Sequence, residues 1–522
     1  MSAETSPRAA QPEAAGLWRA DKKRLLMLLL GLIVGVEFLE NGMFVFAASH
    51  IVGAIDAAPR EFAQVQAAYA IGSMLMIVLQ QWLSRHFGYR RYLSAALGLF
   101  LVGALASAAS NDLPTLTLAR LVQGFGGGAF FTSCRILVPM LFAPKDRPQA
   151  LKRFMLVAFG LVATGPLLAA TLVDAWGWRW VFLAIVPLTG LSLAGAWLLL
   201  PDDVGRGGEP VKWAAGPLLL FAAAITLVQL GLSQARYDFF AHPLHLLVIA
   251  VAGVGLLGWF LTHQWGHDEP LLRLRELRHP AYITGLVLYF LNYCLSNASG
   301  YLFPIYAERG LGIPIHATGL LNTFAALVSF GFAYLYIKRG ARLPQKKPLM
   351  VTGALAMAIA AWLFASMPTG VPSSALLAAL VAKGVFGVLL VLPVAGLTFR
   401  ELGDERFAHA YQSKNLMRQI AGSFSTAIAA IALQDFQFAN YSQLAATLSP
   451  ANPQATGWLD SLQAGFVAHG LSAAQAHGAA MAELARIVEQ QSLLVSCENL
   501  YRVLAALALA TAAVVLLQRR LK

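Results

Sequence analysis

The sequence is short of charge. Only 12% of its 522 residues are Asp, Glu, Lys or Arg, against 58% hydrophobic, and the mean hydropathy is +0.63. A soluble domain carries about 25% charged residues, so half the charge needed to solvate a surface is missing. That excludes a cytosolic enzyme, a disordered protein and a nucleic-acid binder, despite a net charge of +12 and a pI near 9.7. Cysteine is scarce as well. Cys134, Cys294 and Cys497 are too few and too scattered for a disulfide framework or a metal-binding spacing. No G-x-x-x-x-G-K-[ST] loop is present, which argues against direct use of ATP. The first 18 or so residues read as a disordered tail without the h-region and cleavage site of a removable signal. What remains is apolar and long. This is an integral membrane protein.

Apolar runs of about 20 residues recur, each long enough for a bilayer core of roughly 30 Å. They fall near 25–48, 62–83, 92–110, 114–138, 153–174, 179–200, 214–233, 243–264, 281–306, 315–337, 348–367, 374–398, 411–434 and 499–518. The reading is fourteen spans, with twelve as the alternative if the pair near 214–264 is peripheral. The basic residues test the count, because cytoplasmic loops are enriched in Lys and Arg. The N-terminal tail, the even-numbered loops and the C-terminal tail hold 29 of the 38 Lys and Arg, and the odd-numbered loops hold six. Arg120, Arg135 and Lys383 fall inside spans. Both termini are therefore expected in the cytoplasm, and the basic pI records topology. One connection is long: residues 436–498 form an outer loop, expected to hold weak helix with an N-cap at Ser472.

Three patterns converge. The fourth span carries Leu118-Ala119-Arg120-Leu121-Val122-Gln123-Gly124 and runs on into Gly126-Gly127-Gly128. The fifth reads GLVATGPLLAA over 160–170, with Trp176-Gly177-Trp178-Arg179-Trp180-Val181-Phe182 after it. Between spans two and three lies a short basic loop with Arg85, Gly88, Arg90 and Arg91. In this order, together with Leu302-Phe303-Pro304-Ile305-Tyr306, they resemble the major facilitator superfamily, and within it the fourteen-span drug:proton antiporters of the EmrB/QacA type. The resemblance covers nearly the whole chain from about residue 24. It implies an all-α membrane protein of the major facilitator fold: fourteen transmembrane helices in two six-helix halves plus two extra central helices. The division implied is a cytoplasmic tail 1–23, an N-terminal half 24–200, extra helices and linkers 201–280, and a C-terminal half 281–522. Two departures stand out. Arg85 replaces the aspartate usual in the loop motif, and in the first span Glu40 stands at the acidic position while Val45 replaces the usual asparagine.

Charged groups deep in a bilayer cost about 2.5–3.5 kcal/mol each on insertion scales and are functional candidates by default. Of the 26 acidic residues only Glu37 and Glu40 sit well inside a span, three apart on one helix face with Asn41 beside them. Counting 1.5 Å per residue puts Arg120 and Lys383 in the same layer, and Arg135 near the cytoplasmic face as a snorkelling residue. Two such carboxylates cannot both ionise cheaply, so one is expected to hold a proton while Arg120 keeps the other ionised. Glu40 is the expected carrier, with Glu37 and Arg120 tuning it; the alternative is a static ion pair between spans one and four.

Gly165-Pro166, with Gly160, reads as a hinge and seal, and ordinary tight packing is the bland alternative. Arg85, Gly88, Arg90 and Arg91 form the expected cytoplasmic gate loop. Candidates for a midplane substrate cavity are Asn41, Tyr69, Gln123, Tyr289, Asn292, Asn297, Asn322 and Lys383. No histidine lies at midplane depth, so no metal site is expected; no catalytic residue or cofactor is expected either, the proton gradient supplying the energy. The reading is a multi-pass inner-membrane transporter exporting amphipathic organic compounds in exchange for protons. Expected partners are its substrate, protons, lipid and a periplasmic adaptor protein at the outer loop, but no nucleic acid. Rivals are an organic-acid transporter, supported by Lys383, and a transporter-like receptor or scaffold that moves nothing.

Overall fold

The computed structural model describes residues 20–206, 215–267, 270–368, 372–400, 402, 404–448 and 452–521. The tail expected to be disordered therefore lies almost wholly outside the described residues. Among the described residues, thirteen helices are long and apolar enough to cross a membrane. In the first half these are α1 (Ala20–Ala54), α2 (Pro59–Phe87), α3 (Tyr89–Ala109), the pair α4 (Leu113–Gly127) and α5 (Phe130–Leu141), α6 (Arg147–Trp176), and the pair α7 (Trp180–Leu183) and α8 (Val186–Leu199). Then come α9 (Ala215–Ala241) and α10 (Pro243–Gly266). The helix α11 (Pro280–Pro304) is the fourteenth, made more polar by Asn292, Asn297 and four tyrosines. The remainder are α12 (Ile315–Lys338), α13 (Lys347–Phe364), the pair α14 (Leu377–Leu389) and α15 (Val391–Thr398), α16 (Asp404–Thr447), the short α17 (Pro453–Ala468), and α18 (Ala473–Leu517).

Backbone polar groups have no water partner in a bilayer, so helices satisfy them internally. Two large apolar clusters form accordingly. One gathers Leu30, Val34, Phe100, Phe130 and Phe182 from α1–α8; the other gathers Leu295, Phe303, Phe364, Leu390 and Tyr501 from α11–α18. A smaller cluster packs Phe221, Ile225 and Phe260 of α9 and α10 against Met74 and Ile77 of α2 and Leu416 of α16. The extra pair thus lies across the seam between the halves. The outward face of α10, with Leu247, Val251 and Trp259, is exposed and apolar, as a lipid-facing helix requires.

The glycines of α4 serve close packing. A Cβ on Gly124 would strike the Tyr69 carbonyl of α2, and one on Gly126 would meet the Ala96 carbonyl of α3 at 2.5 Å. The α4 N-terminus is capped by Asp112, which accepts from the Thr115 N–H at 2.9 Å; bonds from Thr115 hold its carboxyl below the usual carboxylate range.

The expected outer loop 436–498 needs correction. The helix α16 continues to Thr447 and α18 begins at Ala473, so only a short α17 and its turns separate them. Helices of 44 and 45 residues are roughly twice the length a bilayer needs. Their surplus turns project beyond it, held together by Asn440 donating to Ser496 at 2.9 Å. The N-cap at Ser472 is present, with a reciprocal bond to Gln475.

Candidate functional site: a charged seam between the halves

Five residues singled out in the sequence meet in one buried pocket. Arg120 on α4 donates to the Glu40 carboxylate of α1 at 2.5 Å, to the Gln123 carbonyl at 2.7 Å and to the Asn41 carbonyl at 3.4 Å. Asn41 in turn donates to the Tyr69 hydroxyl at 2.8 Å. The guanidinium also lies 4.1 Å from the Phe44 ring centroid and 4.4 Å from that of Tyr69. Arg120 and Glu40 are 1% and 0% exposed. A fork of N–H donors suits this many acceptors at once, and the burial cost of both charges is met inside the N-terminal half.

Glu37 is held differently. Its partner is Arg418 of α16, 3.8 Å away and in the other half. The Arg418 side chain is 20% exposed although it sits about fourteen residues into a long helix, so it faces a gap between the halves. Phe38 and Phe131 lie under its guanidinium at 5.1 and 5.4 Å. Among the described residues, neither Glu37 nor Glu40 has a hydrogen-bond partner for its second carboxylate oxygen.

Lys414, one turn before Arg418, is 2% exposed. Its ammonium bonds the Asn415 carbonyl at 3.2 Å and stands 4.8–5.6 Å from the ring centroids of Phe131, Tyr411, Tyr289 and Tyr293. No ion-pair partner for it exists among the described residues. Tyr289 and Tyr293 stack at 5.8 Å. Arg135 of α5 packs on Phe407 and Tyr411 at 5.0 and 5.7 Å.

These findings correct the charge map drawn from the sequence. Lys414 and Arg418 were counted with a cytoplasmic loop, yet they stand in the seam; their place in the span proposed for 411–434 was the available signal. Arg135 packs on rings of the opposite half. Lys383 does not join the acids: its ammonium lies 4.7 Å from the Phe303 ring, with no carboxylate partner among the described residues. Asp238, buried near the end of α9, is a further acid that the span ending at 233 left out.

The other cavity candidates scatter. Tyr289 joins the Lys414 cage. Asn297 donates back to the Tyr293 carbonyl at 2.7 Å, an ordinary intrahelical bond. Asn292 is buried with an unpartnered carbonyl, and Asn322, on α12, makes no side-chain hydrogen bond among the described residues.

The hinge residues do face other helices. Pro166 leaves α6 a broken ladder, and the next N–H, of Leu167, donates to Thr323 of α12 at 3.1 Å. Gly319 of α12 approaches the Pro166 carbonyl and Ala170 so closely that a Cβ would meet both at 3.0 Å. Gly165 faces Leu39 of α1, and Gly160 faces Phe330 of α12.

The basic loop is braced within its own half. Gly88 takes φ +81°, a region open chiefly to glycine, and Arg90 pairs with Asp202 at 2.8 Å while stacking on Trp197. Arg91 is exposed; Arg85, with Arg273, supplies the charge that faces buried His409 of α16. Across the seam on that side, Gln412 donates to the Ile77 and Val78 carbonyls of α2, and Asn415 to Thr132 of α5. No cluster of metal-binding side chains occurs among the described residues.

A model of the Major Facilitator Superfamily matches residues 30–426. A multidrug resistance protein B homolog of Mycobacterium tuberculosis is 28% identical over 401 residues, covering 73% of this chain and 70% of its own length. The putative multidrug resistance protein MdtD of Salmonella heidelberg is 25% identical over 419 residues, covering 80% and 87%. An uncharacterized MFS-type transporter, YhcA of Bacillus subtilis, is 23% identical over 435 residues, covering 82% and 80%. Among solved structures, a POT family transporter in complex with 5-aminolevulinic acid shares the fold with TM-score 0.60 at 14% identity, covering 94% and 96%. A D-xylose–proton symporter matches with TM-score 0.56 at 16% identity, covering 79% and 90%.

Proposed function

The chain belongs to the Major Facilitator Superfamily, and from that premise we propose a proton-coupled exporter of amphipathic organic compounds, with Glu37 as the exchanging carboxylate. One observation carries this reading: two buried acids three residues apart answer to different halves, Glu40 to Arg120 and Glu37 to Arg418. Ionised Glu37 ties α1 to α16. A proton on Glu37 removes the charge that maintains this contact, so proton binding acts on the relation between the halves, which alternating access needs. The sequence favoured Glu40 as carrier. Glu40 is fully buried and charge-paired with Arg120 inside one half, whereas Arg418 opens to the gap, and this favours Glu37 for exchange and Glu40 as the anchor.

Cationic and neutral amphiphiles suit the aromatic lining of the gap. A cation there favours ionised Glu37 and a proton opposes it, so the two bind in alternation. The names of the multidrug-resistance relatives agree with export. We place the protein in the inner membrane with both termini cytoplasmic, and its helical projection, where Phe438 and Trp458 are exposed, as the contact for a periplasmic adaptor. The test is proton movement in proteoliposomes on adding tetraphenylphosphonium. Release by wild type, lost in Glu37→Gln, is expected. Unchanged release in Glu37→Gln would reject Glu37, and no release at all would reject exchange.

A further inference from the structure

The seam holds more positive charge than the exchange mechanism uses. Arg135, Lys414 and Arg418 come together there from α5 and α16, and among the described residues the only carboxylate paired with any of them is Glu37. Arg418 is taken by Glu37. Arg135 packs on Phe407 and Tyr411. Lys414 is left with four aromatic faces and one amide carbonyl, and no anion. A buried ammonium without a counter-ion is an unusual thing to keep in a membrane. If packing alone were at stake, an apolar side chain would fill the space among Phe131, Tyr289, Tyr293 and Tyr411 at lower cost.

The surroundings define what could complete the site. Tyr289 and Tyr293 are stacked 5.8 Å apart on α11, and Phe131 approaches from the opposite half. Phe131 and Tyr293 are only partly buried, and Arg418 beside them is partly exposed, so the cage borders the gap. A flat aromatic group can lie against these rings while an anionic group attached to it reaches the ammonium. The missing partner is thus a carboxylate carried on an apolar ring.

We propose that the central gap takes a second class of compound, aromatic carboxylates, with the carboxylate at Lys414 and the ring against Tyr293 and Phe131. This rests on the reading that the gap is the substrate site, but not on its exchange sense. An anion beside Glu37 favours the protonated form of that carboxyl, whereas a cation opposes it. Aromatic carboxylates are therefore bound together with a proton, and cationic amphiphiles in place of one.

Equilibrium binding to the full-length protein in lipid nanodiscs tests this with three probes: 2-naphthoate, its neutral isostere 2-naphthamide, and tetraphenylphosphonium. Losing a buried charged partner is worth at least about tenfold in affinity, so 2-naphthoate should bind at least that much more tightly than 2-naphthamide. In weak buffer its binding should take up a proton. Lys414→Gln should erase the difference between acid and amide while leaving 2-naphthamide affinity within about twofold, and Lys414→Arg should restore part of it. A purely structural lysine would change both probes alike. The wild-type comparison needs no variant, so it stands even if Lys414→Gln fails to fold. Equal affinity for acid and amide overturns the proposal. Tetraphenylphosphonium binding with proton release, without 2-naphthoate binding, overturns it but leaves the exchange reading standing. Binding of none of the three removes both.

Discussion

Arg120 and Lys414 are both buried cations, and they are solved in opposite ways. Arg120 has a carboxylate, two amide carbonyls and three rings within reach. Lys414 has four rings, one amide carbonyl and no acid. The first charge is balanced within one half of the protein. The second sits between halves and is balanced by nothing permanent. A charge-balanced pair holds its position through a transport cycle, while an unbalanced charge responds to whatever arrives, so the contrast separates an anchor from a receptor.

Removing each cation should sharpen this difference most. Arg120→Ala leaves the Glu40 carboxylate buried without its counter-charge, an effect of about 3–5 kcal/mol in comparable buried pairs. Thermal unfolding in detergent should show a large fall, recovered only in part by Arg120→Lys, which restores charge but not the fork to Gln123 and Asn41. Lys414→Met removes a charge that has no partner to strand, so its thermal stability should stay level or rise. A comparable loss in both variants would mean that Lys414 is paired after all, and the distinction between anchor and receptor would fail.

Next in size is the cross-half pair. Glu37→Gln keeps shape and hydrogen bonding while removing the charge that Arg418 meets at 3.8 Å. Coupled proton movement should be lost, yet the midpoint of thermal unfolding should change far less than in Arg120→Ala, because Arg418 keeps access to the gap. Glu40→Gln should do the reverse, costing more stability than coupling. If Glu40→Gln alone abolished coupling, the sequence-based choice of Glu40 would be reinstated.

How much of this was legible beforehand follows from the same two residues. Arg120 lies inside a membrane-length stretch with an acid-bearing span to match, so depth counting linked it to Glu40, whereas Asn41, Tyr69 and Gln123, expected in a substrate cavity, line the Arg120 pocket instead. Lys414 and Arg418 stand near the start of a helix whose first turns, Asp404 through Arg406, are charged. Assigned to the basic loop, they improved the topology count and disappeared from the site. The fourteen crossings were legible because a bilayer imposes a length and an apolar composition on every helix. The projection formed by α16 and α18 was legible only in part: helix with a cap at Ser472 was expected, but not its continuity with both spans, since Ala-, Gln- and Ser-rich turns outside the membrane lack any such constraint. Lys383 misled for a further reason: depth along a helix says nothing about azimuth, and its ammonium stands over the Phe303 ring, away from the acids.

The smallest expected effect tests how finely the Arg120 pocket is built. The Tyr69 hydroxyl accepts from Asn41 at 2.8 Å, while the Tyr69 ring lies 4.4 Å from the Arg120 guanidinium. Tyr69→Phe deletes the first contact and keeps the second. Asn41 retains its bond to the Glu37 carbonyl at 3.0 Å, so one neutral hydrogen bond is lost, about 0.5–1.5 kcal/mol. Tyr69→Leu also removes the face beneath the cation, a further contribution of about 0.5–2 kcal/mol. Thermal unfolding should therefore rank wild type, Tyr69→Phe and Tyr69→Leu in descending order, all well above Arg120→Ala. Proton coupling should survive in Tyr69→Phe, because Glu40 still has Arg120 and Glu37 still has Arg418. Loss of coupling there, with stability intact, would mean that the hydroxyl relays the proton between Asn41 and the acids, and the pocket would then be part of the exchange path instead of its anchor.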